Sequence, residues 1–199
     1  MAEKIYEYVA ECVNSMRGED SMRGEDSMRG ESDDFILDLF CGTGTIGIIL
    51  AGISGCGTGS SGIGAKNIIG IDAEESAIES AKSNAELNGL SNIQFHTGMV
   101  QQILPKLLKQ KDFVRPSIVV MDPPRVGLVP KALESVIEIQ PRHIIYISCQ
   151  PASFARDARV LAENGYQLKT VRPFDQFPQT AHIEIVGSFQ RMPPSCSGE

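Results

Sequence analysis

Asp38-Leu39-Phe40-Cys41-Gly42-Thr43-Gly44-Thr45-Ile46-Gly47 is the stretch on which the fold turns. It joins a short apolar run, Phe35–Phe40, to a second one, Ile46–Ala51, through Gly42, Gly44 and Gly47 in a GxGxxG spacing. A strand that passes through glycines directly into a helix lets backbone N–H groups approach a ligand closely at the helix N-terminus. Two readings stand here: a nucleotide or nucleoside site, and a tight strand-to-helix turn without a ligand. The same spacing recurs at Gly57, Gly59 and Gly62, but no strand precedes it, and nine of the nineteen glycines fall between 42 and 64. The second match reads as loop composition.

Outward from this turn the chain alternates apolar strands with helical stretches. Strands are predicted at Asn67–Ile71, Ile93–His96, Ser117–Met121 and His143–Ser148, with a helix over Glu75–Leu87 whose Ile78, Ala81 and Ala85 share one face and which ends at Asn88-Gly89. Such alternation implies a parallel sheet covered on both faces. Gln167–Arg172 and Ile183–Phe189 are joined by a loop and not a helix, so the last strand is expected to run antiparallel. Asp72, at the end of the second strand, stands where an acid in a Rossmann-type sheet takes both ribose hydroxyls, and equally where it caps the following helix.

The 199 residues, 42% of them hydrophobic, suit one globular domain and exclude collagen, coiled coil and wholesale disorder. Lys+Arg 18 against Asp+Glu 25 gives −7, but residues 1–34 hold 4 basic and 10 acidic side chains, leaving 35–199 near neutral with 14 and 15. That balance lacks the basic excess of a domain that grips nucleic acid unaided. Residues 15–32 give one polar hexapeptide three times (SMRGED, SMRGED, SMRGES), expected to be disordered, after a short amphipathic helix marked by Ile5, Val9, Cys12 and Val13. The expected organisation is therefore 1–33 helix and insert, 34–191 the domain proper, and 192–199 a disordered tail. Five cysteines without a CxxC pair argue against a disulfide framework or a structural metal, and for an intracellular, reducing compartment. No apolar stretch reaches the ~20 residues of a membrane span.

Asp38–Gly47, Gly70-Ile71-Asp72, Asp122-Pro123-Pro124-Arg125, Ser148-Cys149-Gln150-Pro151 and the segment from Phe174 through His182-Ile183-Glu184 follow one another along the chain. In order and approximate spacing they resemble the RNA uracil-5-methyltransferases, over residues 34–191. The resemblance implies a Rossmann-like class I methyltransferase fold, with a mostly parallel seven-stranded sheet, an antiparallel last strand and helices on both faces. It implies S-adenosylmethionine as cofactor, contacted by Phe40, Gly42, Gly44, Thr45, Asp72 and Asp122, and tRNA as substrate. Arg125, Phe177 and His182, with Phe174 nearby, are the implied lining of the uracil pocket, and no metal is implied.

Carbon 5 of uracil is not nucleophilic until a thiolate adds to carbon 6, and Cys149 is the implied nucleophile. Lying after an apolar strand and before a Pro-initiated helix, it is expected to have its thiolate stabilised by the helix N-terminus. After methylation the carbon-5 proton must leave before sulfur is eliminated, and Glu184 is the implied base. Arg125 stands where enzymes that methylate exocyclic amino groups carry an aromatic residue, which favours carbon chemistry. Read without the resemblance, Cys149 is a small buried apolar residue, the commoner fate of a cysteine, Glu184 a solvated strand-end charge, and the DPPR stretch a rigid turn.

Two features of full-length members are missing: an N-terminal RNA-binding region, and an aromatic-Gln-Asn segment before the domain. Their absence keeps a second reading open, a cofactor-binding module that is catalytically incomplete without such a region or a partner. Ribosomal RNA is an alternative substrate, and a nicotinamide-dependent oxidoreductase is a third reading, resting only on GxGxxG and Asp72.

Overall fold

The computed structural model describes residues 2–22, 35–52, 65, 67–111, 113–176 and 178–193. Seven strands form one sheet: β1 (Phe35–Leu39), β2 (Asn67–Asp72), β3 (Ile93–Thr97), β4 (Ile118–Met121), β5 (His143–Ser148), β6 (Tyr166–Phe174) and β7 (Glu184–Arg191). Six helices accompany them: α1 (Ala2–Met22), α2 (Thr45–Leu50), α3 (Glu75–Leu87), α4 (Val100–Leu108), α5 (Pro130–Ile139) and α6 (Pro151–Glu163).

The strand order is β3-β2-β1-β4-β5-β7-β6. The first five strands are parallel to their neighbours, whereas β7 pairs antiparallel with both β5 and β6. The fold is thus the predicted class I arrangement with its antiparallel last strand. Composition explains why β7 is inserted and β6 left at the edge. Residues Ile185–Phe189 of β7 are all buried, but β6 is exposed from Gln167 through Pro173, and its Pro173, lacking an N–H, suits an edge strand.

Period-two alternation divides the core. Ile36, Val120, Ile145, Ile147 and Val186 face α1, α2 and α3, while Leu37, Val119, Ile144, Tyr146 and Phe189 face α4, α5 and α6. Helix α1 is longer than its first apolar residues indicate. Ile5, Val9, Val13 and Met16 are all buried, so the helical stripe continues into the first hexapeptide copy and the helix ends at Met22. Residues 23–34, which hold the remaining repeat, and the second glycine cluster lie outside the described residues. Tyr8 fastens the helix to β6: its ring lies 5.6 Å from that of Phe174, and Arg172 stacks 4.5 Å above it. Among the described residues no helix is long and apolar enough to cross a membrane.

Candidate active site

The glycine turn is held by two carboxylates. Phe40, at φ 61°, turns the chain out of β1 and donates its N–H to the Ile71 carbonyl at 2.8 Å. The Gly42 N–H then donates to Asp72 Oδ2 at 2.8 Å, and the Glu74 N–H to Asp72 Oδ1 at 2.9 Å. Asp72 thus ties the turn to β2 and holds the approach to α3, whose own N-cap, Glu74, makes no side-chain cap hydrogen bond. Gly44, at φ 78°, precedes α2, and Thr45 is exposed on its first turn. A Cβ at Gly44 would stand 2.8 Å from the Phe95 ring, so the turn packs as tightly as only glycine allows. At Gly42 a Cβ would meet nothing within 4 Å, leaving open space beside the backbone.

Deeper in the turn, the Gly47 N–H donates to Asp38 Oδ2 at 2.8 Å. Asp38 is fully buried, and its Oδ1 has no hydrogen-bond partner among the described residues. Burial, with the charges of Asp122 and Asp72 adding to it, pushes the Asp38 carboxyl up to about 7. An acid within the apolar strand Phe35–Leu39 is a signal legible in the sequence.

Cys149 and Glu184 meet through strand register. The last antiparallel pair between β5 and β7 is Ser148–Ile185, so Cys149 leaves that ladder at the end where Glu184 enters it, and Glu184's charge acts on the Cys149 thiol. Alternation sends both toward the face of the sheet that carries Ile147 and Val186, and Asp38, Asp72 and Asp122 extend that same face on β1, β2 and after β4. Four acids and a thiol thus come toward one edge of the sheet.

Their electrostatics agree with this assembly. Burial raises the Cys149 thiol, Glu184's charge raises it further, and Arg125 opposes them. A backbone hydrogen bond at Cys149 also lowers it, but burial outweighs these, so the thiol stands above its ordinary value and not below it as expected. The first helical residue, Pro151, has no N–H to offer, and the Gln150 N–H is taken by Ser148 Oγ. Glu184 is raised by burial and lowered by Arg125. Asp122 is exposed, yet partial burial followed by Glu184's charge pushes it up to about 7.

The other predicted lining residues separate. Arg125 stands in this cluster by its charge. His182 is exposed in the loop before β7, its backbone N–H on Thr180 Oγ1 at 3.2 Å. Phe174 is buried in the core against Tyr8. Phe177 lies outside the described residues. Cys41 packs half-buried beside the core, its thiol pushed up by burial and by Asp38 and Asp72. Sequence reasoning missed Tyr6 of α1, whose hydroxyl is raised by burial and by the charges of Asp122, Asp38 and Glu184. No periodicity could have found it, because only packing of α1 on the sheet brings it there.

A family model described as a methyltransferase domain matches residues 31–168. An uncharacterized RNA methyltransferase of Caldanaerobacter subterraneus is 42% identical over 190 residues, covering 96% of this chain and 35% of the relative. One from Chlorobaculum tepidum is 42% identical over 159 residues, covering 80% and 31%. The solved Pyrococcus abyssi tRNA (uracil-54, C5)-methyltransferase, in complex with S-adenosyl-L-homocysteine, is 31% identical with a TM-score of 0.63, covering 90% of this chain and 37% of that one. The chain spans about a third of the length of the curated relatives it matches. With the strand order, the glycine turn and the match over most of its length in agreement, the chain belongs to the methyltransferase-domain family.

Proposed function

We propose that this chain is the catalytic domain of an RNA (uracil-5-)-methyltransferase that takes its methyl group from S-adenosylmethionine and acts on uridine in tRNA. The observation that supports the proposal is the β5–β7 register, whose last pair, Ser148–Ile185, has Cys149 and Glu184 as its immediate neighbours, at the edge of the sheet that also carries Asp38, Asp72 and Asp122.

The residues present fit the cofactor. An orphaned carboxylate oxygen on Asp38, buried behind the turn, two acids driven up to about 7, and open space beside the Gly42 backbone gather more acids than the single Arg125 offsets. A ligand bearing an ammonium and a sulfonium supplies the missing positive charge. Phe40, Gly42, Gly44 and Thr45 would hold it along the turn, with Asp72 and Asp122 on either side. When bound, S-adenosylmethionine supplies an electrophilic methyl group.

The chain's own residues do the rest. The Cys149 thiolate adds to carbon 6 of the ring, breaking the 5,6 double bond and moving charge into an enolate, so that carbon 5 becomes nucleophilic. After methylation Glu184 takes the proton from carbon 5, and the Cys149–carbon 6 bond breaks to restore the ring. Burial moves Glu184 upward, toward a pH at which it is a stronger base. Arg125 favours the charged forms of both groups.

Incubating the chain with S-adenosylmethionine and tRNA substituted with 5-fluorouridine tests this. Fluorine cannot leave as a proton, so a covalent RNA adduct should accumulate on Cys149 and vanish in Cys149→Ser; no adduct under conditions where the RNA is shown to bind rejects the mechanism. The near-neutral charge of residues 35–199 favours one second reading, a module that binds cofactor and depends on another region for RNA. Calorimetric binding of S-adenosylhomocysteine without any adduct would support that reading.

A further inference from the structure

The loop carrying Arg125 is stapled to α6 over consecutive residues. Ser153 Oγ lies 3.0 Å from the carbonyl of Arg125 and 3.0 Å from that of Gln150, the residue after the nucleophile. Arg156 Nη2 donates to the Val126 carbonyl at 2.9 Å and the Leu128 carbonyl at 3.3 Å. Asp157 Oδ2 accepts the Leu128 N–H at 2.9 Å and the Tyr146 hydroxyl at 2.7 Å, while its Oδ1 holds Arg156 at 2.8 Å. Between these ties sits Gly127, at φ 77°, where a Cβ would come within 2.5 Å of Arg156 Nη2 and 2.6 Å of Asp157 Oδ2.

Ordinary stability does not demand this arrangement. Asp157 is 2% exposed and carboxyl side chains are rarely buried so deeply, yet here one serves a surface loop. A rigid DPP turn and the neighbouring core would already return the chain from β4 to α5. What the ties add is a constant distance between two things: the residue that follows Pro124, and the helix whose first turn begins two residues after Cys149. The sheet cannot provide this, because Arg125 lies beyond β4 and has no ladder partner.

We propose that Ser153, Arg156 and Asp157 form a clamp that sets the Arg125 guanidinium relative to Cys149, making Arg156 and Asp157 positioning residues for the thiol chemistry. This deepens the uracil-methylation reading and rests on it for the roles of Arg125 and Cys149. Arg125 favours the thiolate; a loosened loop lets its guanidinium move into water, where it does so less.

The test is the pH profile of Cys149 alkylation by iodoacetamide in the whole chain, followed by peptide mass spectrometry, a readout that needs neither RNA nor cofactor. Arg156→Ala alters a side chain that is 55% exposed and is suited to retaining the fold. It should move the alkylation midpoint up by about half a pH unit, roughly threefold in thiolate at fixed pH. Arg125→Ala should give the same displacement, and the double variant no more than either alone. Ser153→Ala, which removes only the shared hydroxyl, should move the midpoint in the same direction by less, and it stands in should Arg156→Ala unfold. An unmoved midpoint in folded Arg156→Ala, or an equal further shift in the Arg125→Ala background, overturns the clamp. A failed fluorouridine trap with a displaced profile would instead reject the uracil chemistry and leave the positioning intact.

Discussion

Replacing Glu184 by Gln keeps the side chain's size and removes its charge, so it should make Cys149 a more reactive thiol while abolishing turnover. Residues opposite one another in an antiparallel pair stand about 4.5–5.5 Å apart at Cα, which sets thiolate and carboxylate on the order of 6 Å apart. Two like charges at that distance repel by ~0.7 kcal/mol in water and ~3 kcal/mol at an effective dielectric of 20. Both side chains are partly exposed, so the watery end governs. The thiol midpoint should accordingly fall by about 0.5–1 pH unit. At fixed pH below the midpoint, the thiolate fraction rises about three- to tenfold. A less basic thiolate is also a weaker nucleophile, which cuts the gain in alkylation rate to about two- to fourfold. The midpoint is therefore the cleaner observable, measured on the Cys149 peptide with the more deeply buried Cys41 as internal reference. A midpoint that stays put or rises in Glu184→Gln would refute the register argument, because the two side chains would then not face one another.

Two further outcomes follow from the core of the site and from the first helix. Asp38 takes up its proton in the folded state at about 7 rather than near 3.8, so the folded state holds more protons than the unfolded one between those values and stability should fall as pH rises through that window. Asp38→Asn should flatten this slope in denaturant titrations at pH 4 to 8, and an unchanged slope would exclude Asp38 as its source. Val9 is fully buried beneath α1, and Val9→Ala should cost roughly 1–3 kcal/mol in thermal or denaturant unfolding if α1 is an integral part of the core. A negligible loss would mean that the helix docks without contributing.

Much of this molecule is legible one residue at a time. The strand His143–Ser148 and the helix Glu75–Leu87 are read at their observed bounds, because apolar spacing, an acidic start and an Asn-Gly stop all act within a few residues. The glycines of the first turn are equally legible, since positive φ and close packing are local demands. The same local rules misjudge α1. Its polar hexapeptide looks unable to order itself, yet Met16 finds a buried place because the preceding turns are already docked on the sheet.

Sequence alone determined the class of fold, through alternation, and the order in which Asp38, Asp72, Asp122, Cys149 and Glu184 arrive at strand ends. Tertiary structure alone decided that the antiparallel β7 is inserted between β5 and β6, and with that decision the charge of Glu184 comes to act on a thiol thirty-five residues earlier in the chain. It decided too that Tyr6 joins the acids, that helix α6 grips the Arg125 loop, and that the thiol is raised instead of lowered. The physical reason is common to all four. Backbone conformation depends on near neighbours, whereas burial and Coulomb energy depend on distances through space, which are not defined until the sheet has closed its register.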